Sequence, residues 1–192
     1  GSAALQNHID AFLAALFKRA SDESANVRRY VCQALVLILG VRPDKLIPEM
    51  DNVVEYMLYS TQDKDDDVSL EACEFWLQFA EEPSLKDKLR PYLAKVAPVL
   101  LKGMVYNELD LLMLGGDEDD EEDDDGVSDW NLRKCSAAAL DVMAVNFGDE
   151  LLEILLPYLK ERLFSEDWLQ RECGILALGA IAEGCIAGIQ PH

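Results

Sequence analysis

Carboxylates are the candidate reactive or metal-binding side chains of this 192-residue sequence, because nine acidic residues follow one another without interruption. The run consists of Asp117, Glu118, Asp119, Asp120, Glu121, Glu122, Asp123, Asp124 and Asp125. General acid–base catalysis needs carboxylates that are fixed in a pocket. A run of like charges repels itself and can bury almost nothing, so we expect residues 115–126 to be disordered.

A calcium site is the first alternative for this acidic run. If Glu121, Asp123 and Asp125 take positions 1, 3 and 5 of an EF-hand loop, Gly126 falls at position 6. Position 12 is then Leu132 instead of the required bidentate Glu. The sequence therefore predicts no metal site here. Two interpretations of the run stay open: a solvated loop, or an intramolecular competitor for a basic ligand.

The remaining reactive residue types form no catalytic motif. The two histidines, His8 and His192, lie outside any recognisable acid–base pattern, and no phosphate-binding glycine loop is present. The five cysteines include no CxxC pair and no Cys/His cluster, so neither zinc nor disulfides are expected. We therefore predict a protein that is not an enzyme and that needs no cofactor.

Four of the cysteines instead mark an internal repeat. Cys32, Cys73, Cys135 and Cys173 each follow a Val or Trp by five positions, at Val27, Val68, Trp130 and Trp168. The cysteines are 41, 62 and 38 residues apart. Spacings near forty are typical of HEAT or armadillo helix pairs, and the longer middle spacing indicates that the acidic run is an insertion.

The composition agrees with a folded helical chain. Half of the residues are apolar, and no sustained alternation of apolar and polar residues predicts strands. The net charge is −20, and −11 remains without the nine acids. Such an acidic chain is unsuited to nucleic acid or to anionic membrane surfaces and suits basic protein partners. No apolar run is long enough to predict a membrane span.

We therefore predict an all-α fold, a right-handed HEAT-repeat α-solenoid of about four antiparallel helix pairs with a disordered acidic insertion. Gly1-Ser2 is typical of a cloning remnant. The expected repeats are approximately residues 3–40, 44–80, 91–144 and 149–185, with the acidic loop 115–127 in the third. Ser128 or Asp129 is expected to cap a helix that begins at Trp130. Two of Phe75, Trp76 and Phe79 are expected in the core.

The sequence resembles a known family most strongly in its third and fourth repeats. The segments Ser128–Val142 (SDWNLRKCSAAALDV) and Leu178–Cys185 (LGAIAEGC) are similar to the karyopherin-β nuclear import receptors. The similarity is to the branch that carries cargo with a proline-tyrosine nuclear localisation signal. That branch has a long acidic loop in its eighth HEAT repeat, where this chain has a much shorter one. The resemblance covers nearly the whole chain after Ser2.

The resemblance implies a function as well as a fold. It implies cargo proteins with proline-tyrosine signals, Ran-GTP as the releasing partner with the acidic loop as coupling element, nucleoporins as further partners, and shuttling between cytoplasm and nucleus. Its signal-binding residues would be Ala138, Asp141 and Leu176. Plain helix packing is the alternative for Ala138 and Leu176. Asp141 occupies a register that is Ile38, Phe79 and Gly179 in the other repeats, so we expect it to face a ligand.

Two other functions stay open, namely a different HEAT-repeat scaffold and an acidic chaperone for basic proteins. Self-association is also expected, because solenoid repeats bury their faces only against neighbours. The apolar residues that we expect to be partly uncovered are Phe12, Leu16 and Phe17 in the first helix and Ile175, Leu178 and Ile181 in the last.

Overall fold

The computed structural model describes residues 2–114 and 130–187, and these residues form helices and turns without a strand. The predicted disorder of the acidic segment falls on residues outside this described part. The α-helices are α1 (Ser2–Arg19), α2 (Ala25–Val41), α3 (Pro43–Leu46), α4 (Met50–Thr61), α5 (Asp66–Glu81), α6 (Lys86–Leu89), α7 (Leu93–Gly103), α8 (Glu108–Leu114), α9 (Leu132–Phe147), α10 (Asp149–Leu163) and α11 (Trp168–Ala187). Short 3₁₀ turns connect them at Ile47–Glu49, Pro83–Leu85 and Arg90–Tyr92.

The helices follow one another as four pairs, which confirms the predicted fold class. The second helices of the pairs are α2, α5, α9 and α11. Two compact units make up the chain, Gly1–Val99 and Leu100–His192. The first unit contains α1 to α6 and most of α7. The second contains the end of α7 and the helices from α8 to α11.

The core of the first unit is built around the aromatic residues of α5. Phe75, Trp76 and Phe79 are all fully buried, one more than expected. Their rings meet edge to face, with centroids 5.2 and 5.8 Å apart. The indole nitrogen of Trp76 donates a hydrogen bond of 2.9 Å to the hydroxyl of Thr61, so burial leaves this polar atom satisfied.

The repeat cysteines are core residues, as their apolar surroundings predict. Cys32, Cys73, Cys135 and Cys173 are each fully buried and have free thiols. Burial raises the pKa of Cys32 to about 11, so this thiol stays protonated and behaves as a small apolar group. The cysteines therefore occupy the packed side of each second helix.

One predicted helix start is wrong. Helix α9 begins at Leu132 and is capped by Asn131, whose side-chain oxygen accepts a 2.9 Å hydrogen bond from the backbone N–H of Lys134. Trp130 therefore precedes the helix and is 47% exposed. The side-chain amide of Asn131 also lies 3.4 Å from the Asp110 carboxylate, a contact with a residue distant in sequence. Asn131 thus combines local capping with a tertiary contact.

The expected exposure of apolar side chains is correct with one exception. Phe12, Ile175 and Leu178 are 53%, 65% and 44% exposed. Leu16 and Phe17 are half-buried. Ile181 is instead fully buried, because it lies eight residues after Cys173 and shares its buried face of α11. Self-association through these positions stays a prediction.

A close backbone approach joins α9 and α11. A Cβ atom at Gly184 would lie 2.5 Å from the carbonyl carbon of Ala144 and 2.5 Å from the nitrogen of Val145. Both atoms are backbone, so neither can move without shifting α9. At Gly179 of the same helix, a Cβ atom would meet nothing within 4 Å.

This difference predicts opposite effects for two similar substitutions. Gly184→Ala should lower the free energy of unfolding by about 1–3 kcal/mol, because the methyl group forces the helices apart. Gly179→Ala should be neutral or add up to about 1 kcal/mol, because alanine favours a helix over glycine. Urea unfolding followed by circular dichroism measures both. Equal stabilities of the two variants would contradict the close approach.

Arg28 and Asp63 form a buried ion pair in the first unit. Arg28 Nε and Nη2 donate to the two oxygens of Asp63 at 2.9 and 3.1 Å. Arg28 Nη1 donates to the carbonyl oxygens of Asp22 and Glu23 at 2.9 and 3.0 Å, which holds the turn before α2. Burial is the largest influence and acts to raise the pKa of Asp63, but the hydrogen bonds from Arg28 and from the backbone N–H of Asp65, together with the charges of Arg28 and Lys64, outweigh it and the pKa is lowered.

The lowered pKa predicts an acid-sensitive part of the stability. The Asp63 carboxylate stabilises the fold above its unfolded-state pKa, and this contribution is lost as the pH falls through the folded-state pKa. Asp63→Asn should lower the melting temperature at pH 7 by about 2–6 °C. Between pH 7 and pH 3 the melting temperature of this variant should fall by less than that of the unsubstituted chain. Asp87→Asn, at the exposed pair with Arg90, is the control. An identical acid response of both variants would refute the assignment.

Candidate functional site

The solvent-facing side of α9 carries the residues with the clearest potential for binding. Asp141 is exposed, and within the described residues its carboxylate has no hydrogen-bond or ion-pair partner. Ala138 lies one turn earlier on the same side and is half-buried. Val145 lies one turn later and is 67% exposed. The Asp141 carboxylate, a hydrogen-bond acceptor, therefore lies between the small residue Ala138 and the apolar residue Val145.

Helix α11 contributes the neighbouring part of the same surface. Ile175 and Leu178 are exposed, and Leu176 is half-buried. We call the set Ala138, Asp141, Val145, Ile175, Leu176 and Leu178 the α9–α11 surface. It combines one carboxylate with exposed aliphatic side chains, which is a composition suited to a peptide with both apolar and hydrogen-bond-donating groups.

Two contacts define the register between these helices. The Arg133 guanidinium binds the Glu172 carboxylate near the start of both helices. Ala144 meets Gly184 near their ends. The helices therefore run parallel, with each residue of α9 beside a residue about forty positions later in the chain. This register places Leu176 beside Ala137, next to Ala138 in the chain, and places Asp141 beside the turn of α11 that contains Ile181.

The sequence interpretation therefore chose two residues on α9, Ala138 and Asp141, and one on the adjacent helix α11, Leu176, and their role in binding stays a prediction. It did not find Val145, whose exposure depends on how α9 is rotated in its packing. It also assigned Ile175 and Leu178 only to an uncovered apolar face. The acidic segment Asp117–Asp125 lies outside the described residues, so the structure gives no geometry for it.

Arg133 is a second feature that sequence reasoning missed. Its Nε donates to the carbonyl oxygen of Met104 at 3.1 Å, and its Cζ lies 3.6 Å from the centroid of the Tyr106 ring. The only local signal is its position in the repeat, two residues before Cys135, while Glu172 directly precedes Cys173. A related ion pair joins Arg29 of α2 to Glu71 of α5 at 3.9 Å in the first unit.

Other kinds of site find no support in the described part of the chain. No group of three or more His, Cys, Asp or Glu side chains there is placed to hold a metal ion. Within the same residues, no helix combines the length and apolar character required to cross a bilayer.

Comparison with protein families gives a match in the N-terminal part of the chain. Residues 2–76 match the family described as the Vacuolar 14 Fab1-binding region. This match covers less than half of the chain and lies entirely in the first unit.

Comparison with curated proteins gives longer matches. Importin subunit beta-2 from Schizosaccharomyces pombe is 47% identical over 98% of this chain. Transportin-1 from Mus musculus is 49% identical, also over 98% of this chain. The chain covers 26% and 25% of these two proteins, so it spans about a quarter of the length of the curated relatives it matches. The mouse match extends over 228 residues, at least 36 more than the 192 in this chain, so the mouse relative has additional residues inside the matched region.

Solved structures of similar fold come from the same group of proteins. Kap121p bound to RanGTP superimposes with a TM-score of 0.75 at 22% identity, covering 97% of this chain and 19% of that chain. Yeast importin-β, Kap95p, gives a TM-score of 0.74 at 21% identity, covering 93% of this chain and 21% of that chain. Identities this low show the shared HEAT-repeat solenoid fold alone.

Proposed function

This chain belongs to the karyopherin-β family, and from that premise we propose that it forms part of the cargo-binding surface of a nuclear import receptor. Its role is binding and not catalysis. The receptor shuttles between cytoplasm and nucleus. The observation that carries the proposal is the Asp141 carboxylate of α9, which is exposed and has no partner among the residues that the structure describes.

The ligand in this proposal is a proline-tyrosine nuclear localisation signal. The Asp141 carboxylate accepts a hydrogen bond from the tyrosine hydroxyl, and the short side chain of Ala138 leaves room for the ring. Leu176 and the exposed aliphatic residues of α11 contact the apolar part of the peptide. The net charge of −20 favours a basic partner.

Release of the cargo is assigned to Ran-GTP, with the acidic residues Asp117–Asp125 as the coupling element. Support for the kinds of partner comes from related folds. A solved structure shows Kap121p bound to RanGTP, others show Kap121p bound to Pho4p and to Nup53p, and another is a complex of Kap95 with Nup1. We extend these kinds of partner, namely Ran-GTP, cargo and nucleoporins, to the receptor that contains this chain.

The hydroxyl contact is tested with a pair of peptides that differ only in tyrosine or phenylalanine. A hydrogen bond to a charged acceptor contributes roughly 1.5–3 kcal/mol, which is about a tenfold to hundredfold change in affinity. Asp141→Ala should therefore weaken binding of the tyrosine peptide by this factor and leave the phenylalanine peptide nearly unchanged. Fluorescence anisotropy on this chain, and on a full-length relative with the equivalent substitution, measures the affinities.

Two controls accompany that measurement. Asp141→Ala should change the free energy of unfolding by no more than about 0.5 kcal/mol, since the residue is exposed. Ala138→Trp should weaken both peptides, because its volume blocks the space for the ring. Equal losses of the two peptides on Asp141→Ala would rule out the hydroxyl contact.

An acidic chaperone for basic proteins is the competing function, and the uninterrupted run of acids is the observation that favours it. Salt separates the two functions, because the screening length falls from about 10 Å at 0.1 M to about 3 Å at 1 M. Binding of a proline-tyrosine peptide should persist in part at 0.5 M salt, since apolar contacts remain. Binding of a polylysine control should collapse. Collapse of both would favour the chaperone.

A further inference from the structure

Arg133 joins three parts of the second unit through one guanidinium group. Its side chain is only 15% exposed. Nε donates to Met104 at the end of α7, the charged plane stacks on Tyr106, and Nη2 binds Glu172 on α11. Since arginine presents a planar fork of donors, a single side chain can satisfy all three partners at once.

Helix α9 depends on this residue because its first turn is short. Cys135 is the fourth residue of α9, whereas Cys32 and Cys73 are each the eighth residue of α2 and α5. Relative to the repeat, α9 therefore lacks about one turn at its start. Arg133 is the second residue of this shortened helix, and its ion pair with Glu172 ties the start of α9 to α11.

The rest of the α9–α11 interface contains small side chains. On the α11 side Ala177 is buried, and on the α9 side Ala144 is buried. The backbone approach of Gly184 to Ala144 holds the far ends. The near ends are held by Arg133 and Glu172. One oxygen of Glu172 is buried and has no hydrogen-bond partner among the described residues, so loss of Arg133 would leave this carboxylate uncompensated.

We propose that Arg133 is a positioning residue for the candidate binding site, because it sets the distance between α9 and α11 at their N-terminal ends. Asp141 lies eight residues beyond Arg133, roughly 12 Å along the helix. Leu176 lies only four residues beyond Glu172. A change at the start of the two helices therefore alters the spacing between the acceptor on α9 and the apolar contacts on α11. The ligand part of this inference rests on the proposed function.

The first unit offers a matched control. Arg29 and Glu71 form the corresponding tie between α2 and α5, at 3.9 Å. Arg29 also lies near an aromatic ring, 5.7 Å from the centroid of Tyr30. Its side chain is 38% exposed and the ion pair is looser. Arg29→Gln thus removes the same chemistry from a place remote in sequence from the α9–α11 surface.

The first experiment needs no ligand. Val145 and Leu178 are exposed, whereas the five native cysteines are buried, so Val145→Cys and Leu178→Cys together accept spin labels selectively. Double electron–electron resonance then measures the distance between the two labels. Its distribution should be shifted or broadened by Arg133→Gln, changed less by Arg133→Lys, and unchanged by Arg29→Gln. An unchanged distribution for Arg133→Gln would overturn the inference, whatever the ligand is.

The second experiment uses the tyrosine and phenylalanine peptides. Arg133→Gln should weaken both by roughly threefold to thirtyfold, because the whole site changes shape. Asp141→Ala differs from it, because that variant should weaken the tyrosine peptide and leave the phenylalanine peptide nearly unchanged. Arg29→Gln should leave both affinities unchanged at a similar melting temperature, and Arg133→Lys should restore part of the loss. Normal affinity of Arg133→Gln would refute the positioning role. Absence of peptide binding by the unsubstituted chain would instead refute the proposed function, while the spin-label distances still decide the role of Arg133.

Discussion

Close packing of small side chains between α9 and α11 is the constraint on which the second unit depends. Gly184 lies against the backbone at Ala144, and at the end of α7 a Cβ atom on Gly103 would lie 2.5 Å from the hydroxyl of Ser136. Helices that approach this closely bury their facing atoms completely, as the repeat cysteines Cys135 and Cys173 illustrate. Specific polar contacts near the helix ends also bear on the register. Arg133 and the ion pair that it forms with Glu172 supply such a contact.

The same packing decides which residues reach solvent. Asp141 and Phe79 occupy the same position relative to the repeat cysteine, yet Phe79 is fully buried and Asp141 is exposed. The position is therefore not intrinsically part of the core, because burial depends on how the next helix covers it. In α9 the uncovered position carries a carboxylate, and Val145 one turn later is also exposed. An acceptor beside aliphatic surface can be selective for a peptide, whereas an acidic surface alone would bind any cation.

Charge has two distinct functions in this chain. Buried or partly buried pairs, such as Arg28 with Asp63 and Arg133 with Glu172, hold turns and helix ends in place. The excess of acids gives a net charge of −20, which attracts basic partners over a distance but contributes little to selectivity. This division is consistent with a receptor in which electrostatics accelerates encounter and a surface such as that of α9 and α11 selects the ligand.

The sequence by itself determined the helical class, the paired repeats, the buried cysteines and the identity of Asp141 as an exception in its register. These features follow from local periodicity, because a residue three or four positions away lies on the same side of a helix. Only the tertiary structure decided that Val145 is exposed and that Arg133 contacts Met104, Tyr106 and Glu172. Met104 and Glu172 lie 29 and 39 positions away from Arg133 in the chain. Local sequence preferences cannot encode them, since the packing register between helices brings such atoms together.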